Sequence, residues 1–173
     1  MRFVYRTTAV VVLLWILGCS DGTALTMNGT NGEAVPWFED QSVQRGINFR
    51  YESGHEDRYL LPEIMGGGVA LVDIDNDGDL DAYLVQGGKL LSEAGPGNKL
   101  FINRGDGYFE ERIDSGAGVD KGYGMGVASG DYDNDGDADL YVTNYGPNVL
   151  LKNNGNGGFE DVSEVAGVAD EGW

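Results

Sequence analysis

The sequence predicts an all-β protein that contains two copies of a four-stranded antiparallel unit. Two nearly identical acidic stretches, which begin at Asp73 and Asp131, each lie between short apolar runs of strand length. The 29 glycines are typical of a turn-rich β protein. Because 41% of the residues are hydrophobic and cluster in strand-length runs, the composition argues against low-complexity disorder.

Each acidic stretch has aspartate at its first, third, fifth, seventh and ninth positions and glycine at its sixth. The aspartates are Asp73, Asp75, Asp77, Asp79 and Asp81 in the first copy, and Asp131, Asp133, Asp135, Asp137 and Asp139 in the second. Clustered like charges repel one another strongly, and a hard cation such as Ca²⁺ makes their clustering favourable. We therefore predict about two Ca²⁺ sites. The side chains at positions one, three, five and nine would bind the ion, and position seven would offer its backbone carbonyl.

Two other interpretations of the acidic stretches have less support. Asp, Asn and Gly are also the common residues of solvated turns, but a second copy with the same glycine argues against chance. An EF-hand loop ends in glutamate at its twelfth position and lies between helices. Here the twelfth positions are Leu84 and Val142, and the flanking runs favour strands. The pattern therefore favours a nine-residue Ca²⁺ loop that connects two β-strands.

The charge of the chain limits the partners it can bind. The 173 residues carry a formal net charge of −18, from 11 basic and 29 acidic residues. This balance argues against a basic surface for nucleic acid or for anionic lipid headgroups. The length leaves room for one ordinary domain. We therefore expect no nucleic-acid partner, and contact with a membrane only through a lipid anchor.

Residues 1–19 resemble a bacterial lipoprotein signal peptide. Arg2 and Arg6 form a positive start, and residues 9–17 form an apolar run that is too short to span a bilayer. Cys19, the single cysteine, follows a small residue and fits the lipidated position of a lipobox. Plain secretion with cleavage near Cys19 is the alternative. We therefore expect an exported protein, either a cell-envelope lipoprotein (periplasmic or on the outer surface) or a secreted one.

The rest of the chain divides into a linker and a repeat region. Residues 20–36 are rich in Gly, Asn, Thr and Ser without apolar periodicity, which predicts a flexible linker. Residues 37–173 carry an internal repeat, because residues 98–110 match residues 148–160. In the second copy we predict strands near residues 126–129, 140–143, 149–152 and 159–162. Four short strands per unit are typical of a β-propeller blade, so the chain holds about two blades of an incomplete propeller. The glycines before each acidic stretch would lie on the innermost strand, where room is least.

Two further segments carry a resemblance to known proteins. Residues 61–70 read Leu-Pro-Glu-Ile-Met-Gly-Gly-Gly-Val-Ala, and residues 159–168 read Phe-Glu-Asp-Val-Ser-Glu-Val-Ala-Gly-Val. With the doubled loops, residues 37–173 resemble FG-GAP/VCBS repeats of integrin α-type propellers and, more closely, the cartilage acidic protein (ASPIC/UnbV) family. The resemblance implies Ca²⁺ binding by the ten loop aspartates. Because closed propellers have about four to eight blades, we expect an N-terminal fragment of a longer protein.

The sequence predicts no catalytic residues. His55 is the single histidine, and no second residue forms a nucleophile–base pair or a common zinc site with it. Aspartates held ionised by Ca²⁺ cannot act as general acids. We therefore expect a non-enzymatic surface module that binds an extracellular protein or glycan. Two alternatives stay open: part of an extracellular polysaccharide-acting enzyme whose catalytic residues lie beyond this sequence, and a structural envelope component.

Overall fold

The computed structural model describes residues 27–28, 34–57, 59–90 and 95–170. The chain divides into two units, residues 1–40 and residues 41–173. In the first unit, strand β1 (Met27–Asn28) pairs antiparallel with strand β2 (Ala34–Val35), so the predicted linker contains a short strand pair. The predicted signal peptide and Cys19 lie outside the described residues.

The second unit contains two antiparallel sheets, of which the first is a four-stranded meander. Its strands are β3 (Val69–Val72), β4 (Asp81–Leu84), β5 (Lys99–Asn103) and β6 (Phe109–Glu111), in that spatial order. Tyr83 lies opposite Ala70 on one side and opposite Leu100 on the other, and all three are buried. This register places one face of the sheet in the core.

The second sheet is formed by β7 (Tyr123–Gly130), β8 (Asp139–Asn153) and β9 (Phe159–Asp161). A straight strand of the length of β8, which has 15 residues, would span about 50 Å at roughly 3.3 Å per residue. However, the N–H of Asn153 donates to Asp139 Oδ1 at 2.8 Å, and the N–H of Asn144 donates to Asn148 Oδ1 at 2.9 Å. Strand β8 therefore folds back near Gly146 and supplies two neighbouring strands.

Both sheets thus consist of four antiparallel strand segments, as expected for two blades of an incomplete propeller, and the all-β prediction is confirmed. The strands predicted for the second copy fall within β7 and β8 or overlap β9. Strand β7 begins three residues earlier than predicted, at Tyr123.

Short helical segments interrupt the strands, and the sequence did not indicate them. They are α1 (Leu61–Met65), a 3₁₀ turn (Ile113–Ser115) and α2 (Ser163–Ala166). The 3₁₀ turn and α2 end at glycines with φ of +79° and +67°, a left-handed conformation that glycine adopts without strain. Segments of one turn carry no apolar periodicity, so pattern alone does not reveal them. Among the described residues, no helix has the length and hydrophobicity needed to span a bilayer.

The hydrophobic core joins the two sheets. Its buried members are Ala70, Ile74, Tyr83, Val85, Leu100, Ala117, Leu140, Val142 and Leu151. At the inner strands the backbones approach closely, since a Cβ on Gly68 would lie 2.9 Å from the Cα of Gly126. The prediction that the glycines before the loops lie where room is least is confirmed for this pair. This packing sets the two acidic loops beside each other.

Candidate metal centre

The first acidic loop, residues 73–81, connects β3 and β4 and is closed by its own hydrogen bonds. The carboxylate of Asp73 accepts from the N–H groups of Asp77 and Gly78 at 3.1 and 3.0 Å. The turn requires a φ of +95° at Gly78, which side-chain-bearing residues rarely adopt. The N–H of Asp79 donates to Asp77 Oδ1 at 2.9 Å. The spacing of Asp and Gly therefore encodes a curled loop in which the first and fifth carboxylates accept N–H groups of the turn.

The second loop, residues 131–139, connects β7 and β8 and repeats this geometry. Asp131 accepts from the N–H groups of Asp135 and of the glycine that follows it, at 3.1 and 3.0 Å. Asp139 is 1% exposed and accepts from the N–H groups of Tyr132 and Asn153 at 2.9 and 2.8 Å. The same nine-residue pattern thus gives the same fold twice.

In each loop the structure brings together the carboxylates of positions one, three and nine. One oxygen from each lies within 4.8 Å of the others in two sets: Asp73, Asp75 and Asp81, and Asp131, Asp133 and Asp139. Oxygens that share one Ca²⁺ lie within about 5.2 Å of each other, because each Ca–O distance is about 2.3–2.6 Å. An all-oxygen set of this spacing suits a hard cation.

The fifth and seventh positions lie outside these two sets. In position five, Asp77 and Asp135 accept the N–H of the residue two places later. In position seven, the Asp137 carboxylate accepts from Asn76, a residue of the other loop. In the second loop the seventh-position side chain therefore faces Asn76, and the backbone carbonyl at this position stays the group predicted to face an ion.

The ninth-position carboxylate anchors the first loop and is costly to bury. Asp81 is fully buried and accepts from the N–H groups of Ile74 and Asn103 at 2.9 and 2.8 Å. Burial raises the pKa of Asp81, the two N–H bonds oppose that shift, and the charges of Asp75 and Asp77 raise it further. A buried carboxylate beside other acids gains from a cation that neutralises them.

The third positions distinguish the two loops. In the first loop, Asp75 Oδ1 is buried and has no hydrogen-bond partner. In the second loop, the ammonium group of Lys152 contacts Asp133 Oδ2 and lies 3.1 Å from Asp135 Oδ2. These contacts raise the pKa of Lys152, through Asp133 first and Asp135 next. An unpartnered oxygen in one loop and a bound ammonium in the other both indicate that the cluster attracts a cation.

Comparison with known families finds FG-GAP-like repeats at residues 73–142 and 131–173, which together cover more than half of the chain. The chain belongs to the FG-GAP-like repeat family. Each match begins at the first aspartate of an acidic loop. A search of curated proteins finds no match. The closer resemblance to the cartilage acidic protein family stays a prediction.

The two FG-GAP-like repeats contact each other through their loops. Asn76 Nδ2 donates to Asp137 Oδ1 at 2.7 Å, from the first loop to the second. Asn153 Nδ2 donates to the carbonyl oxygens of Ile74 and Ala138 at 2.7 and 3.1 Å, one in each loop. The loops are therefore neighbours that share hydrogen bonds. Both loops were predicted from the sequence, whereas these hydrogen bonds between them were not.

The remaining polar residue singled out in the sequence lies in the segment before the first repeat. His55 Nδ1 is 3.1 Å from Glu63 Oε2, and its ring stacks on Tyr59 with centroids 4.7 Å apart. The residue is exposed, as expected for a histidine in a polar segment. Sequence reasoning did not single out Lys152 as a loop residue. The signal available was its alignment with Ile102 in the first repeat.

Proposed function

We propose that this FG-GAP-like repeat chain is a calcium-binding β-propeller module of the cell envelope that binds an extracellular protein or glycan. The observation that carries the proposal is the repeated set of three carboxylates at positions one, three and nine of each loop, which we call the triad. In the first loop, Asp75 Oδ1 of this triad is buried and has no partner. The family supports a propeller-like binding module. The metal, the export and the ligand class are the parts that we propose.

The chemistry of each loop supports calcium over softer metals. Among the described residues, the groups suited to hold a metal ion are two sets of aspartates, without histidine. Ca²⁺ prefers six to eight oxygen ligands from carboxylates, carbonyls and water. In the first loop Asp73, Asp75 and Asp81 would hold the ion, with Asp131, Asp133 and Asp139 in the second. The ion supplies positive charge that offsets the repulsion between these carboxylates and fixes the loop.

We propose a non-enzymatic role for the module. The single histidine is engaged with Glu63 and Tyr59, and Asp73 and Asp81 accept hydrogen bonds from backbone N–H groups. Binding modules present side chains on rigid loops, and Ca²⁺ would provide that rigidity. The ASPIC/UnbV relationship belongs to the same proposal.

Calorimetric titration tests the proposed calcium binding. Ca²⁺ is titrated into the full chain after the protein has been purified in detergent and freed of metal with a chelator. We expect about two ions with dissociation constants of roughly 10⁻⁴–10⁻³ M, as in other extracellular modules. Asp73→Ala removes one triad member and should weaken the first site. The second site should stay near normal. Folded protein that releases or absorbs no heat on titration would contradict calcium binding.

Membrane fractionation of cells that produce the chain tests the anchor. If Cys19 is lipidated, Cys19→Ser should move the protein from the membrane fraction into the soluble exported fraction. A matched Ser20→Ala change next to it should leave the protein in the membrane fraction. Retention of the Cys19→Ser variant in the membrane would exclude lipidation at this residue.

A further inference from the structure

The two metal-binding loops share one backbone geometry but differ in one neighbouring side chain. Ile102 on β5 and Lys152 on β8 occupy the same repeat position, since each precedes the asparagine whose N–H binds the ninth-position aspartate. Ile102 packs against the hydrophobic core. Lys152 instead directs its ammonium group to Asp133 and Asp135. The second loop therefore has a covalently tethered cation, and among the described residues no basic side chain pairs with the first loop.

The ammonium group of Lys152 pairs with the third-position carboxylate, Asp133, which is a member of the triad. In the first loop the corresponding Asp75 keeps a buried oxygen without a partner. In the second loop Asp133 Oδ2 is already in contact with a positive charge. An arriving Ca²⁺ must displace this ammonium group or bind beside it, and both alternatives reduce the net gain of binding. The Lys152 side chain is 33% exposed, so it can move into solvent.

We infer that Lys152 is an internal counter-cation that lowers the Ca²⁺ affinity of the second loop, so that the first loop fills before the second. This inference rests on the proposed calcium binding. Partly exposed ion pairs are weak, which predicts a difference of about three- to tenfold in the dissociation constant. The same contacts offset part of the negative charge of the second loop when the ion is absent.

Loop-specific measurement is possible because the loops differ at their second position. Tyr132 lies between two triad aspartates and is 45% exposed, whereas Ile74 occupies the same place in the first loop. A tyrosine beside a bound Tb³⁺, which substitutes for Ca²⁺ at oxygen sites, sensitises the luminescence of the ion. The part of the luminescence that is lost in Tyr132→Phe therefore reports metal binding at the second loop. Calorimetry with Ca²⁺ reports metal binding at both loops.

The experiment titrates the full chain in detergent with Tb³⁺ and, separately, with Ca²⁺. Lys152→Ile installs the residue found in the first repeat. It should lower the Tb³⁺ concentration that gives half-maximal luminescence, called here the midpoint, by about three- to tenfold. Lys152→Arg keeps the charge and should stay near the wild-type value. Lys99→Ile is the charge-matched control, because Lys99 pairs with Glu111 in the first sheet, and it should leave the midpoint unchanged. Lys152→Gln provides a second test if Lys152→Ile is insoluble.

The outcomes separate the inference from the proposed function. A lower midpoint in Lys152→Ile and Lys152→Gln, with Lys99→Ile and Lys152→Arg unchanged, supports the counter-cation. Two bound Ca²⁺ ions in every variant with unchanged affinities overturn the counter-cation and leave calcium binding intact. Absence of metal uptake in folded wild type and in folded Lys152→Ile overturns both.

Discussion

The two acidic loops have the same internal hydrogen bonds but different surroundings. In the first loop, Ile74 is fully buried in the core between the blades, and the third-position carboxylate has an unpartnered oxygen. In the second, Tyr132 is 45% exposed and Lys152 contacts the third-position carboxylate. The nonapeptide therefore sets the shape of each loop, while the position of the loop in the blade array sets its packing and charge. The first loop packs into the core through Ile74, whereas the second loop is contacted by Lys152.

The largest expected difference between the loops concerns packing. Ile74→Ala leaves a cavity between the blades and should lower the free energy of unfolding by about 2–5 kcal/mol. Tyr132→Ala removes a half-exposed ring and should cost about 1 kcal/mol or less. Denaturant unfolding monitored by fluorescence in chelator measures both variants without metal. Equal losses would show that the first loop is not anchored through the core.

The acidic loops and the repeated strands were predictable because their signals are local. Asp at alternate positions with Gly at the sixth encodes a curled loop, and both loops have this form. The crowding at Gly68 and Gly126 was also predictable, because repeated glycines before a buried strand indicate close backbone approach. The two-blade architecture follows from the repeat itself.

Specific side-chain contacts between distant segments were not predictable. Gln86 exchanges hydrogen bonds with the segment before the first repeat: its Nε2 donates to the carbonyl of Arg50, and its Oε1 accepts the N–H of Glu52. That segment has no strand periodicity, so its sequence gives no pairing signal. The contact of Lys152 depends on the fold-back of β8 beside the second loop. A lysine at the end of a strand is ordinarily a solvated residue, and only the register brings it to Asp133.

A second, smaller difference should appear on removal of metal. Chelation leaves the carboxylates of the first loop repelling one another, whereas Lys152 still offsets part of the negative charge of the second loop through Asp133 and Asp135. We therefore expect hydrogen exchange to accelerate more in residues 73–81 than in residues 131–139, as measured by mass spectrometry on peptides from each loop. Lys152→Ile should bring the second loop to the level of the first. Equal acceleration of both loops in the wild type would contradict the stabilising effect of Lys152.

The smallest expected effect concerns the hydrogen bond between the loops. Asn76 and Asn134 have the same left-handed backbone, with φ of +61° and +62°, so glycine fits both positions without strain. Asn76→Gly also removes the hydrogen bond to Asp137 at 2.7 Å, whereas Asn134→Gly serves as the backbone-matched control. The difference in free energy of unfolding between the two variants should therefore be about 0.5–1.5 kcal/mol, with Asn76→Gly the less stable. Thermal unfolding in chelator measures this difference. Equal stability of the two variants would mean that the hydrogen bond between Asn76 and Asp137 adds nothing to the stability of the fold.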